Sequence, residues 1–211
     1  MENEKNQILL TISSLFFRYG IKSVSMDDIS RELGISKKTL YTIFKDKNEL
    51  VDQVVVNERT FRKREIDNIR ETSENAIEAY VHLLKIVRQI IESYNPSYAF
   101  DLKKYYPNLY AREEKIRISN MFQLFQENIH RGISEGIFRD DIKVDIIVKF
   151  HVTTMLSLDS SLNLEAKKLF TDQELLDYKT YYEYYVFFMR GIVNKKGYEF
   201  LEKKIKTLES N

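Results

Sequence analysis

Residues 33–50 read LGISKKTLYTIFKDKNEL. Gly34 ends one short periodic run, Ser36 is placed to cap the next, and Asp46 with Glu49 to cap a third. Two short helices separated by Gly34-Ile35-Ser36 have the spacing of a helix-turn-helix, whose tight turn often contains Gly. Ile29 and Leu33 before the turn, Ile35 within it, and Leu40 and Phe44 after it supply the apolar interface between the two helices. Upstream, Ile8, Ile12, Leu15, Phe16 and Tyr19 recur at helical spacing, and Gly20 follows as a stop. Ser25 stands three residues before Asp28, the pattern of a capping box. Residues 8–50 therefore hold three compact helices and the start of a fourth.

That packing leaves Lys37, Lys38, Tyr41 and Thr42 to face outward. In a helix-turn-helix the start of the second helix enters the DNA major groove. Lysines there reach guanine O6/N7 or phosphate, and a threonine methyl can touch the thymine methyl. Between Ser36 and Lys47 four lysines meet one acid, a local charge of +3 in a chain whose net charge is only +1. Lys47 falls in the first turn of the following helix, where free N–H groups also favour a phosphate.

The long spaced motif resembles the N-terminal domain of the TetR family of transcriptional regulators. The resemblance covers residues 8–55: the aromatic pair and Gly in LFFRYGIKSVSMDDIS, the LGIS turn, and LYTIFKDKNEL, with Phe44, Lys47 and Leu50 in register. It implies that the helix at 37–43 reads bases and that Tyr41 and Lys47 clamp phosphates. Carried over position by position, Lys37, Lys38, Thr39 and Tyr41 match base-facing or backbone-facing positions. Ser25, Ser36, Thr42 and Lys47 match positions that support phosphate contacts. Many family members carry Gly, Ala or Pro where Lys37 and Lys38 stand. Two later stretches, RGISEGIFRDDIKVDII at 131–147 and FFMRGIVNKKGYEFLEK at 187–203, resemble the family's link into its penultimate long helix and the end of its last one.

The 211 residues are 43% hydrophobic and 31% charged, with only 6 Gly and 2 Pro, which favours helices over loop-rich or β folds. The absence of cysteine removes disulfides, thiolate metal sites and cysteine nucleophiles, and suits the cytoplasm. No apolar run approaches the roughly 20 residues of a membrane span, so no membrane partner is expected. Gly132-Ile133-Ser134-Glu135-Gly136 matches a nucleophile elbow in letters, but that motif needs a strand before it, and here a helical pattern precedes it. His82, His130 and His151 lack metal-ligand spacing. Neither an enzyme, nor a metal site, nor a cofactor is expected. The mixed-charge run at 57–70 reads as a solvated helix face.

Further helices are expected near 75–93, 110–131, 144–158 and 178–193, with a short segment between Pro96 and Pro107. The helices at 144–158 and 178–193 are apolar around most of their circumference, so they should be buried on more than one side. One face can serve the chain's own core and the other a second copy. Val148, Met155, Tyr182, Val186, Met189 and Val193 are the expected dimer residues, while the reading in which both helices simply fill one core stays open.

The expectation is an all-α chain. An N-terminal three-helix helix-turn-helix domain (1–50) precedes a C-terminal helical ligand-binding and dimerisation domain (51–211). The resemblance implies a homodimer on a near-palindromic double-stranded operator, acting as a repressor released by a small-molecule effector. The alternative is a ligand-independent DNA-binding or scaffolding module with the same head. The supply of rings between the C-terminal helices points to a partly apolar effector. Its expected lining is Tyr80, Tyr98, Phe100, Tyr105, Phe122, Phe125 and Phe150, with His82 and His151 as polar handles.

Overall fold

The structure, a computed structural model, describes residues 2–93, 95–158 and 169–209. It is helical, and among the described residues no strand forms beyond an isolated antiparallel bridge between Phe138 and Val193. In chain order the helices are α1 Glu2–Tyr19, α2 Met26–Glu32, α3 Lys37–Ile43, α4 Lys47–Thr72, α5 Ala76–Glu92 and α6 Pro96–Tyr105. They continue as α7 Pro107–Ser134, α8 Val144–Leu158, the single turn α9 Asp172–Leu175, α10 Tyr178–Ile192 and α11 Lys195–Glu209.

The chain divides into two compact units: residues 1–67 with 93–114, and residues 68–92 with 115–211. This differs from the expected division after residue 50. The first unit keeps much of α4 and takes in α6 from further along the chain, because α6 packs on α1 and α4. Asn95 caps α6, its side chain accepting from Ser97 N, and its Nδ2 also donates to Phe17 O at 2.6 Å. Phe17 and Tyr98 pack ring to ring, tilted by 32° with centroids 4.4 Å apart. The core of this unit is largely aliphatic, built on Ile12, Phe16, Ile21, Ile29, Leu40, Phe44, Leu50, Val51 and Val54, all fully buried. These include the apolar residues of both helix-turn-helix helices.

The run at 57–70 is solvated along much of its length, with residues 60, 61, 63–65, 68 and 70 exposed, but Glu58 and Arg59 turn to the rest of the unit. Glu58 accepts from Ser13 Oγ at 2.5 Å and from Tyr98 Oη at 3.0 Å, which joins α1, α4 and α6. Burial pushes its carboxyl above the usual range, against the lowering effect of those two hydroxyls. Arg59 forms a bidentate pair with Glu113.

In the second unit the core lies between α5, α7, α8, α10 and α11, where the rings of Tyr80, Phe125, Phe138 and Tyr185 are buried among aliphatic side chains. The Gly132–Gly136 stretch ends α7. Gly136 takes φ +67°, and Gly136 N and Ile137 N donate back to Ile133 O and Gly132 O, the Schellman closure of a helix end. Ser134 Oγ donates to Arg131 O. Pro107, expected to close a segment, instead opens α7, since a helix's first turn needs no N–H from that residue.

Candidate nucleic-acid interface and the second unit

The helix-turn-helix is fixed by its caps. Ser25 Oγ accepts from Asp28 N at 3.2 Å while Ser25 N donates to Asp28 Oδ2 at 2.9 Å, closing the capping box of α2. Hydrogen bonds from Ser25 hold the Asp28 carboxyl below its ordinary pKa. At the other end of α2, Gly34 adopts φ +66° and Ile35 N donates to Ser30 O at 3.0 Å, so the chain reverses tightly. Ser36 then caps α3, accepting from Thr39 N at 3.0 Å, and its hydroxyl pairs with Thr39 Oγ1 at 2.8 Å.

Of α3 only Leu40 is buried. Lys37, Lys38, Tyr41 and Thr42 are exposed, along with Lys45 just beyond the helix. They are not equivalent. Lys37 Nζ lies 2.8 Å from Asp27 Oδ1 on α2, and that carboxylate raises its pKa. Thr42 Oγ1 donates to Thr39 O at 2.6 Å. Lys38 has no ion-pair partner among the described residues, and Tyr41 presents its ring with 44% exposure. Thr39 and Ser36 are engaged with each other at the helix start, and Ser25 with Asp28.

Lys47 departs from the expectation of a free phosphate clamp. Its Nζ donates to Ile21 O at 2.6 Å and to Val24 O at 2.5 Å, tying the start of α4 to the α1–α2 turn. The side chain is half-buried. Desolvation, then Lys22, lowers its pKa. An ammonium has three donors, and two are committed here.

The same turn is gripped from α6. Lys22 N donates to Asp101 Oδ2 at 2.7 Å. Gly20, at φ +81°, lies so close that a Cβ there would stand 3.1 Å from Asp101 Oδ2 and 3.2 Å from Ser97 Cβ. Sequence periodicity shows none of this, because the partners are 77 or more residues apart; only the Gly after Tyr19 hints at a special backbone position.

In the second unit the expected effector residues separate into groups. Tyr80, Phe125 and His151 come together in the core, with Phe122 half-buried beside them. Phe150 points outward with 69% exposure, since it neighbours the inward-facing His151 on α8. Tyr98, Phe100 and Tyr105 belong to the first unit. Tyr98 binds Glu58, while exposed Phe100 and Tyr105 lie under Lys104, with Nζ 5.1 and 5.4 Å from their ring centroids. None of these four joins the ring cluster in the core of the second unit. A groove of about 800 Å³ runs between α5, α10 and α11, and of the expected lining it has only His82. Charged residues crowd it, with Lys204 paired to Glu78 and Arg88 to Glu92. His82 Nδ1 pairs with Ser73 Oγ at 3.2 Å.

The expected dimer residues also need correction. Val148, Val186, Met189 and Val193 are buried within the chain's own core, Tyr182 is half-buried against it, and Met155 is half-buried against the smaller cluster of Leu175 and Tyr181. Helical spacing turns residues 181, 185, 189 and 192 of α10 inward together. What α10 and α8 leave outside is Phe187, 78% exposed, and Phe150 and Ile146.

A family model described as bacterial regulatory proteins of the tetR family matches residues 8–54, the stretch that folds into α1–α3 and the start of α4. The chain carries the DNA-binding domain of the TetR family over this stretch. It is a DNA-binding transcriptional regulator of that type. Among TetR-type relatives, the HTH-type transcriptional repressor KstR2 of Mycolicibacterium smegmatis is 21% identical over 151 residues, 70% of this chain and 74% of its own length. An uncharacterised HTH-type regulator of Bacillus subtilis, YhgD, is 31% identical over 71 residues, 34% of this chain and 37% of its own. The crystal structure of a transcriptional regulator from Cytophaga hutchinsonii shares the fold with a TM-score of 0.73 at 18% identity, covering 90% of this chain and 99% of that one. Among the described residues no helix is long and apolar enough to cross a membrane.

Proposed function

We propose that the chain is a homodimeric transcriptional repressor, a binding protein rather than an enzyme, released from its operator by a small-molecule effector. The observation that carries the DNA reading is the outward face of α3. Behind a turn fixed by Gly34 and two serine caps, Lys38, Tyr41 and Thr42 stand exposed on a helix that buries only Leu40. Lys38 and Tyr41 meet the duplex, and Lys37 joins them once DNA competes with Asp27 for its ammonium. Ser25, Ser36, Thr39 and Thr42 act mainly by holding the helix starts. Lys47 contributes at most its third donor to a phosphate.

Phe187, Phe150 and Ile146 support the dimer. Isolated large apolar residues on a monomer's surface are ordinary, but here they crown the two helices that in this family meet a second copy. A duplex with half-sites about one helical turn apart, roughly 34–36 Å, follows from two such heads. Repressors of this kind work only if the effector binds the DNA-incompetent arrangement more tightly than the competent one. The helices α4 and α7, which contribute residues to both units, are the covalent route for that bias.

The test is selection from random duplexes with the intact protein. An inverted repeat is expected, and Lys38→Ala should relax preference at one position of each half-site. A selected sequence without two-fold symmetry, or a Lys38→Ala protein with unchanged preference, overturns the reading. Phe187→Asp should give a monomer by sedimentation, because it inserts an unpaired charge into an apolar contact.

A further inference from the structure

The core of the second unit is unfinished as a core. Among the described residues, Tyr80 Oη, Tyr185 Oη and His151 Nε2 are buried without a hydrogen-bond partner in the protein. The three are neighbours: the Tyr80 ring centroid lies 6.0 Å from that of His151 and 6.2 Å from that of Tyr185. A buried polar group left unpaired costs about 1–3 kcal/mol, and native interiors leave few of them. Three around one ring are a concentration that packing alone does not account for, since phenylalanine would fill the same space at Tyr80 and Tyr185.

The surroundings define what would answer them. Phe125 meets the His151 imidazole edge-on at 4.2 Å, and Phe188 stacks on it at 3.9 Å. Tyr184 Oη holds the other imidazole nitrogen, Nδ1, at 3.0 Å, which leaves Nε2 as the one position open to a ligand. Phe188 and Tyr184 are half-buried, so they close the cluster on the side nearest solvent. Among the described residues no charged side chain acts on the three groups. Burial alone lowers the His151 pKa, to about 3, and the neighbours that influence Tyr80 and Tyr185 are other tyrosines. A carboxylate, phosphate or ammonium would enter with no counter-charge.

We propose that the ring cluster of Tyr80, Phe125, His151, Tyr184, Tyr185 and Phe188 is a closed binding site for an uncharged, mostly apolar molecule bearing two or more hydrogen-bonding oxygens. The molecule displaces Phe188 from the imidazole face, stacks there, and offers its oxygens to Tyr80, Tyr185 and His151. This rests on the reading of the second unit as the effector-binding part. It replaces the loose list of aromatics with one locus, and it separates that locus from the charged groove between α5, α10 and α11. Pockets between bundle helices commonly combine an apolar lining with a few convergent polar groups.

Tyr80→Phe and Tyr185→Phe keep the rings and delete only the hydroxyls. In the unliganded full chain neither variant should raise the unfolding constant, since no protein bond is lost. A tenfold rise for either would mean that its hydroxyl has a partner inside the protein, and would overturn the proposal. Binding is then measured by thermal shift and calorimetry with three probes on one frame: 2,7-dihydroxynaphthalene, naphthalene and naphthalene-2,6-dicarboxylate. The expected order places the diol first and the dicarboxylate last. The double variant should lose about tenfold or more in affinity for the diol and none for naphthalene. A dicarboxylate that binds best, a diol no tighter than naphthalene, or diol affinity unaltered in the double variant would each overturn the site. Operator affinity is measured separately. Hydroxyl-dependent binding that leaves operator affinity unchanged sustains the site and overturns the effector reading of the second unit.

Discussion

The two units treat several of their buried polar groups in opposite ways. In the first, the deep polar groups are answered: Glu58 by Ser13 and Tyr98, Asp101 by the Lys22 amide, Lys47 by two turn carbonyls. In the second, His151 has one nitrogen engaged and the other bare, and the Tyr80 and Tyr185 hydroxyls have no protein partner. A satisfied network of this kind favours one conformation, because any rearrangement strands a donor or acceptor. An unsatisfied one gives its own arrangement no such advantage. The head is thus built to keep its shape, and the second core to accept a change.

Acid should break the comparison most visibly. Burial depresses the folded pKa of His151 to about 3 from an ordinary 6.5, so below pH 6.5 the unfolded chain binds a proton the folded one refuses. Stability attributable to this residue therefore falls as pH drops from about 6.5 toward 3, by about 1.4 kcal/mol per pH unit at most. Denaturant titrations of wild type and His151→Phe at pH 7 and pH 5 should differ in slope by that amount. Equal pH dependence would place His151 in a wetter site.

Next in size is Glu58→Leu. It strands Ser13 Oγ and Tyr98 Oη and should cost about 2–3 kcal/mol by equilibrium unfolding. Lys47→Met leaves Ile21 O and Val24 O unanswered at the α1–α2 turn, with an expected loss of about 1–3 kcal/mol. Its stability loss, rather than a shallower salt dependence of DNA binding, distinguishes a structural lysine from a phosphate clamp. The finest contrast is between two identical substitutions. Tyr98→Phe should cost about 1 kcal/mol because it removes a donor from Glu58, whereas Tyr80→Phe should cost nothing. If both cost the same, the difference between the units is not one of hydrogen bonding.

The head was legible because its signals are local. Ser25 with Asp28, Gly34, and Ser36 with Thr39 act across three or four residues, and each fixes a helix end where the sequence places it. The exposure of Lys38 and Tyr41 follows from the spacing of Leu40 and Phe44. The carbonyl partners of Lys47 were hidden for the converse reason: Ile21 and Val24 lie more than twenty residues upstream and offer only backbone oxygens, which leave no trace in side-chain patterns. Over residues 178–193, eleven apolar residues crowd sixteen positions, so periodicity could not say which face turned inward. Placing Val186 and Met189 in the core and Phe187 outside required the neighbouring helices. Tyr98 looked like a lining ring because aromatic content says nothing about which acid its hydroxyl will meet.

The contribution of α6 to the head has a consequence for how the protein is made. Asn95, Tyr98 and Asp101, which grip α1, α4 and the Gly20–Lys22 turn, are encoded after the whole of α5, a helix of the other unit. At roughly 5–20 residues per second on the ribosome, they follow the last α4 residue of the head by several seconds. During that interval Glu58 has one of its two hydroxyl partners and the α1–α2 turn lacks its outer clamp. A chain released early with α1–α4 alone carries a complete recognition motif on an incomplete support, and an excised head must run through residue 114, α5 included, to be whole.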